Sequence, residues 1–586
     1  MDEVEKKTRF VKQTYYEGGS KATKMLARRL KKQQALNNIH KIRDPKTNDL
    51  LYEPEAIENV FENYYRTLYT QPVAAREEEM ELLLNSLDLP SLGTRQNKML
   101  NASITAEEIE EAIQRTKNNK SPGTDGFSSE FYKTFKEELV PLLQTSFNYT
   151  LKKGKIPPSW KEAVISVIHK EGKDKEYCDN YRPISLLNVD YKLYTSIIAK
   201  RFENFMSDLI EDCQTGFIRE RQTQDNIRRA LHLVDEIQKT KTSAMLVSID
   251  AHKAFDSVNW LYLYKVMERL GFNEKSVQII KSIYQEPSAR VKINGSLSRS
   301  FKLERSTRQG CCLSPTLFAL FIEPLAQMIR ENEEIKGIHI KHNEHKVGLF
   351  ADDILIYLQD PEETFPRLMR ILEEYGRYSG YKLNVTKTQI LLLNYNPSPE
   401  IRETYKLNWD LEMVKYLGIN ITKERDKLYE ANYGSINLRI KMDLERWSVL
   451  CLDLSSRIEI VKMNVLPRLL YLFQSLPVAV PQIQFDEWDK YISRFIWGGK
   501  RPRIRFETLQ LPKVKGGMAL PNLKEYFHAA QLRYLVCWCR PGYEAKWKGI
   551  ELDQGTELIQ NLLANKKLEK RIETELSPIT KFTIGI

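Results

Sequence analysis

Hydrophobic positions change their spacing as the chain proceeds. Over residues 53–70 and 104–117 they recur at helical intervals, which predicts two amphipathic helices. The second opens on Thr105 with Glu108 three positions on, the pattern of a capping box. Between them, Pro72 to Arg95 reads as a helix flanked by loops, and the turn-rich stretch Ser121 to Phe127 should end the helix before it. From Trp160 onward, short apolar runs alternate with helical stretches. The runs are Ala163 to Ile168, Ala244 to Ile249, Val347 to Ala351 and Ile354 to Leu358, and they predict buried strands in a mixed α and β arrangement. After about residue 425 the pattern is largely helical, with Arg457 to Phe473 strongly amphipathic. A basic loop, Lys500 to Arg505, follows beside Phe495 and Trp497.

Composition narrows the classes. The 586 residues are 42% hydrophobic, enough for a large core and several domains, roughly three or four. Lys and Arg number 89 against 78 Asp and Glu, a net charge of +11 that favours a polyanionic partner. On charge alone, an ordinary solvated surface is the better reading of the balance. Residues 1–44 are polar and basic, with Arg28, Arg29, Lys31 and Lys32 clustered after a break at Gly18–Gly19. They read as a nucleic-acid-binding arm, a nuclear import signal or an exposed charged helix. None of the seven cysteines sits in a CxxC pair, so no tetrahedral zinc site is indicated, and their odd number fits a reducing compartment. The chain shows neither a secretory leader nor an apolar stretch of membrane-spanning length, so an intracellular protein with no membrane partner is expected. A phosphate-cradling G-x-x-x-x-G-K-[ST] loop is absent, which argues against an NTPase.

The candidate chemistry lies in carboxylates. Asp352 and Asp353 sit between VGLF and ILIYL, two apolar runs that predict a hairpin with both acids at its tip. Adjacent acids repel, and a divalent cation between them relieves the repulsion. Asp250 ends another apolar run, AMLVSID, and reads as a carboxylate delivered at a strand end. If that strand pairs with the hairpin, the three acids suit a pair of Mg²⁺ ions roughly 3.5–4 Å apart. A lone Asp-Asp pair is more often a solvated turn; the flanking strands favour the metal site.

At these residues a resemblance appears. LVSIDAHKAFDSVNW, STRQGCCLSP, LFADDILIYL, SGYKLNVTKT and VKYLG occur in the order of reverse transcriptase motifs A to E. Upstream, SPGTDGFSSEFY and NYRPISLLN resemble earlier motifs of non-LTR retrotransposon and group II intron enzymes, and IWGGKRPRIRF resembles the LINE-type branch. The resemblance is clearest over about residues 118–530. It implies an α+β right-hand polymerase that extends a DNA 3′-hydroxyl on an RNA template, in target-primed reverse transcription.

The implied roles follow residue by residue. Asp250, Asp352 and Asp353, with the backbone carbonyl of Ala251, would hold two Mg²⁺ ions, Mn²⁺ being an alternative. Phe255 matches the steric gate against a 2′-hydroxyl; outside the motif it would be read as a core residue. Arg182 and Lys170 would grip the incoming triphosphate, although either could be a surface base. Gln309 and Gly310 match motif B at the nascent base pair. Lys387 matches the motif D lysine, a candidate general acid for pyrophosphate. Tyr416, Leu417 and Gly418 match the primer grip. The sequence departs from the family at Cys312, where proline is usual, and at His169 before Lys170. The implied division is an N-terminal extension over 1–117, fingers with part of the palm over 118–245, palm over 246–424, helical thumb over 425–530 and the start of a C-terminal region over 531–586. RNA template, DNA primer or nicked target DNA, and dNTPs are the implied partners, in a ribonucleoprotein of nucleus and cytoplasm. The endonuclease and cysteine-rich segments of full-length relatives are not recognisable, so a polymerase core is expected. A catalytically inactive RNA-binding derivative and an intron maturase are the alternatives.

Overall fold

The computed structural model describes residues 38–70, 75–552 and 576–585. The basic cluster of Arg28 to Lys32 therefore lies outside the described residues. Helices form at Pro54–Tyr69 and Ala106–Arg115, within the stretches the periodicity marks. Thr105 and Glu108 close the capping box, the Glu108 amide donating to Thr105 Oγ1 at 3.3 Å and the Thr105 amide to Glu108 Oε2 at 3.0 Å.

Two sheets organise the middle of the chain. The first is four-stranded, in the order Val347–Phe350, Asp353–Gln359, Ala244–Ile249, Gln389–Leu393, and antiparallel throughout. Its strands are buried on both faces, which explains their nearly continuous apolar sequence where a half-exposed antiparallel sheet would alternate. Met245, Val247, Ile249, Ile354 and Ile356 face the larger core, against helices Trp260–Arg269 and Ser314–Glu331. Leu246, Leu355, Tyr357 and Leu391 face a second core, shared with helices Thr223–Thr240 and Leu466–Ser475. The odd and even residues of one strand thus tie the two cores together.

The second sheet joins Tyr181–Leu186, Glu162–His169 and Ser288–Ile293. Its first strand carries Arg182 outward, while Tyr181 and Pro183 point into the protein. The remainder is mostly helical from Leu428, as the pattern predicts. The amphipathic stretch around Arg457 to Phe473 is not one regular helix: α-helices Leu454–Ile460 and Leu466–Ser475 flank a π-helical turn, Val461–Val465. Pro467 supplies the physical reason, since it has no N–H to return to the carbonyl four residues back.

The C-terminal part docks on helix Thr223–Thr240 through buried polar groups. Glu551 accepts from Arg228 Nε at 2.6 Å and from Trp538 Nε1 at 2.6 Å, and meets His232 Nε2 at 2.5 Å. Asp225 accepts from Tyr543 and Trp547. No helix among the described residues is long and apolar enough to cross a membrane.

Candidate active site

Strand pairing sets the acids together. Ile354 pairs with Ile249, so Asp353 and Asp250 are the next residues outward from the last paired positions. The hairpin turns at Ala351 and Asp352, with Phe350 opposite Asp353 and Ala351 at φ +55°. Beyond Ile249 the chain continues to pair with the segment before strand Gln389–Leu393. The Asn384 amide donates to the Asp250 carbonyl at 2.8 Å, the His252 amide donates to the Lys382 carbonyl at 2.8 Å, and Ala251 bridges Leu383. That pairing carries Lys387 to the same place: its Nζ lies 3.4 Å from Asp250 Oδ1, which Asn384 Nδ2 also approaches at 3.2 Å.

Electrostatics mark the acids as mutually crowded. Loss of solvent raises the Asp352 carboxyl above its usual range, and the charge of Asp250 adds to this. Asp353 reaches the surface at the turn yet is pushed up to about 6, first by desolvation, then by Asp352 and Asp250. Lys387 is the cation at hand, and it contacts Asp250. Hard carboxylate oxygens with uncompensated negative charge fit a divalent cation of the Mg²⁺ kind. Among the described residues no three His, Cys, Asp or Glu side chains already form a metal cage.

Lys170 feels the charge of Asp250, and Arg182 lies near Lys170. Burial lowers the Lys170 ammonium, the charges of Lys387 and Arg182 lower it further, and Asp179 and Asp250 act in the opposite sense. Lys170 Nζ donates to the Asp179 carbonyl at 2.7 Å. Arg182 is exposed on its strand, which pairs it with Ile168 close to Lys170.

Phe255 lies on a short turn, Ala254–Asp256, with its carbonyl accepting from the Thr307 amide at 2.7 Å. It is half-buried, stacked on Phe318 at 4.4 Å between ring centroids. Next to it, buried Asp256 is pushed up to about 6 by desolvation. It accepts from Tyr69 at 3.0 Å and from Gln309 Nε2 at 3.2 Å. The Gln309 carbonyl takes the Ser185 amide at 2.8 Å, and a Cβ on Gly310 (φ +124°) would sit 2.6 Å from the Ser185 carbonyl oxygen. Gly310 is thus required by the protein's own backbone, which ties the Arg182 strand to the Phe255 turn.

Tyr416, Leu417 and Gly418 form the tight turn of hairpin Met413–Tyr416 and Ile419–Thr422, both turn residues having positive φ. Tyr416 itself is in the core, its hydroxyl 3.4 Å from the Gly348 carbonyl, and the Leu417 carbonyl accepts from Tyr471. Only the turn is offered outward.

Sequence reasoning missed the segment that holds the acidic turn. Gln214 Oε1 accepts from the Ala351 amide at 3.0 Å and from the Gly216 amide at 2.8 Å. A Cβ on Gly216 would lie 2.4 Å from the Ala351 nitrogen. Phe217 follows, and its ring meets those of Phe255 and Phe350. In the sequence, QTGF carries no apolar periodicity and no charge; only the isolated glycine before an aromatic hints at a close approach.

Part of the chain is similar to known proteins. Residues 168–421, which contain every residue named above from Lys170 to Gly418, match the family described as reverse transcriptase (RNA-dependent DNA polymerase). Over these residues the chain is similar to that family. The chain is 28% identical over 505 residues to the transposon TX1 uncharacterized 149 kDa protein of Xenopus laevis, covering 83% of this chain and 38% of that one. It is 25% identical over 394 residues to the RNA-directed DNA polymerase from mobile element jockey of Drosophila melanogaster, 64% of this chain and 42% of that one. It is 27% identical over 286 residues to the Pol polyprotein from the type-1 retrotransposable element R2 of Popillia japonica, 49% of this chain and 39% of that one. The chain spans less than half the length of these relatives.

Proposed function

We propose that the chain is an RNA-directed DNA polymerase that extends a DNA 3′-hydroxyl on an RNA template, within target-primed reverse transcription of a non-LTR retrotransposon. The observation that carries the reading is the pairing of strand Ala244–Ile249 with Asp353–Gln359, which brings Asp250 to the Asp352–Asp353 turn. On this reading the four-stranded sheet is the palm, the sheet bearing Arg182 belongs to the fingers, and the helices over 425–530 are the thumb. Residues 1–117 are an N-terminal extension, and 531–586 begin a C-terminal region.

Asp250 and Asp352, with the Ala251 carbonyl, would hold two divalent ions, and Asp353 would support them. Bound there, such ions stabilise the attacking and leaving oxygens of an in-line displacement. The side chains do the rest. Arg182 and Lys170 bind the triphosphate, whose negative charge relieves the crowding of these cations with Lys387. Lys387 lies on the Asp250 side of the site and delivers a proton to the departing pyrophosphate. Phe255, backed by Phe318, closes the space beneath the sugar where a 2′-hydroxyl would sit. Gln309, oriented by Asp256, and Gly310 line the approach to the nascent base pair. The turn at Leu417–Gly418 supports the primer end. We place the protein in a ribonucleoprotein of nucleus and cytoplasm, acting at nicked target DNA.

The test is extension of a DNA primer annealed to an RNA of defined sequence, with dNTPs and Mg²⁺. The expected product follows the template and requires the cognate dNTP at each step. RNA binding without extension would instead support a catalytically inactive RNA-binding protein.

A further inference from the structure

Phe217 combines three features that packing alone does not explain. It is large and apolar, yet 47% exposed. Its backbone is left-handed at φ +61°, a conformation that bulky residues adopt at an energetic penalty. Its ring stands edge-on to Phe255 at 6.4 Å and tilted against Phe350 at 6.2 Å, both within the range of aromatic pairing. The backbone just before it is locked. The Thr215 amide donates to the Leu349 carbonyl at 2.8 Å, Gln214 clamps the Ala351 amide, and Gly216 leaves no room for a Cβ against that turn. The strained conformation at Phe217 is therefore imposed by neighbours that are themselves fixed to the acidic hairpin.

We propose that Phe217 is a positioning residue for sugar selection: it braces the edge of Phe255 and fixes that ring's distance from the Asp352–Asp353 turn. Phe318 supports one side of the Phe255 ring from within the core. Phe217 meets it as a second, partly exposed neighbour, and through Phe350 it is joined to the strand that leads into the acidic turn. A ring held on one side only could tilt away from an added hydroxyl. A ring in contact with both Phe318 and Phe217 is held at two points, one of them joined through Phe350 to the hairpin. The inference rests on the reading of Phe255 as the sugar gate.

The experiment is single-nucleotide incorporation with matched dNTP and rNTP by the full chain and by F255V, F217G and F217Y. Glycine suits a positive φ, so F217G removes the ring while relieving backbone strain, and its fold should survive. F255V should relax discrimination strongly. F217G should relax it about three- to tenfold, the factor an edge-to-face ring pair is worth, and F217Y should restore it. A purely structural role would slow both nucleotides alike. If F255V relaxes discrimination while F217G leaves the ratio unchanged, the inference is overturned and the gate stands. If F255V leaves the ratio unchanged, the gate reading itself is overturned, and the bracing role with it.

Discussion

Lys387 Nζ lies 3.4 Å from Asp250 Oδ1, although the two residues are 137 positions apart. They meet because Asp250 leaves one strand of the sheet while Lys387 enters its neighbour, and the connecting segments pair through Asn384 and His252. A proton donor of the proposed kind would be held beside the acids by backbone pairing as well as by charge.

Replacing Lys387 with methionine should therefore slow the chemical step by about 10²–10⁴-fold, the usual contribution of a placed general acid, with little change in dNTP affinity. Rapid-quench kinetics separate the two. An unaltered chemical rate with weakened dNTP binding would make Lys387 a triphosphate contact instead.

Gly216→Ala should disturb the acidic turn without touching an acid. Its Cβ would lie 2.4 Å from the Ala351 nitrogen, and backbone cannot swing aside as a flexible side chain can. A loss of about 1–3 kcal/mol in stability is expected from such overpacking. Extension should slow while RNA affinity is kept. Thermal melts and extension assays on the same preparation check both parts, and full activity would show that the turn tolerates displacement.

Glu551→Gln should loosen the C-terminal part. Glu551, Arg228 and His232 are fully buried together, and removing the carboxylate charge leaves the guanidinium uncompensated, at a typical penalty of about 3–5 kcal/mol. Burial by itself would raise the Glu551 carboxyl, but Arg228 and His232 outweigh it and hold it below its ordinary value of 4.5. A depressed carboxyl stabilises the fold above its unfolded value, and that contribution is lost as pH falls through the folded value. Urea midpoints measured from pH 7 downward should accordingly drop less steeply in acid for the variant than for the parent. Parallel curves would place the acid sensitivity elsewhere.

Much of this was legible in the sequence, for definable reasons. The strands at Ala244, Val347 and Asp353 are short and apolar with acids at or near their ends, so their limits could be read to within a residue or two. The Thr105 cap carries its own signature. The π-helical turn was hidden, because Val461 to Val465 keeps helical polarity and only Pro467 signals a fault. Gln214, Gly216 and Phe217 were hidden for another reason. Their importance comes from contacts with Ala351 and Phe255, distant in sequence, and no local period records such contacts. Tyr416 shows the converse: its motif is plain in the sequence, but that its ring is core and only the turn beyond it faces outward is a fact of packing.

The most direct measurement is single-turnover extension of a DNA primer on an RNA template, comparing the parent chain with D250N and D352N. An amide preserves shape but cannot supply the charge that holds a divalent cation or stabilises the transition state. Both variants should bind primer–template as the parent does and show no extension above background. Extension by either variant at near the parent rate would contradict the account.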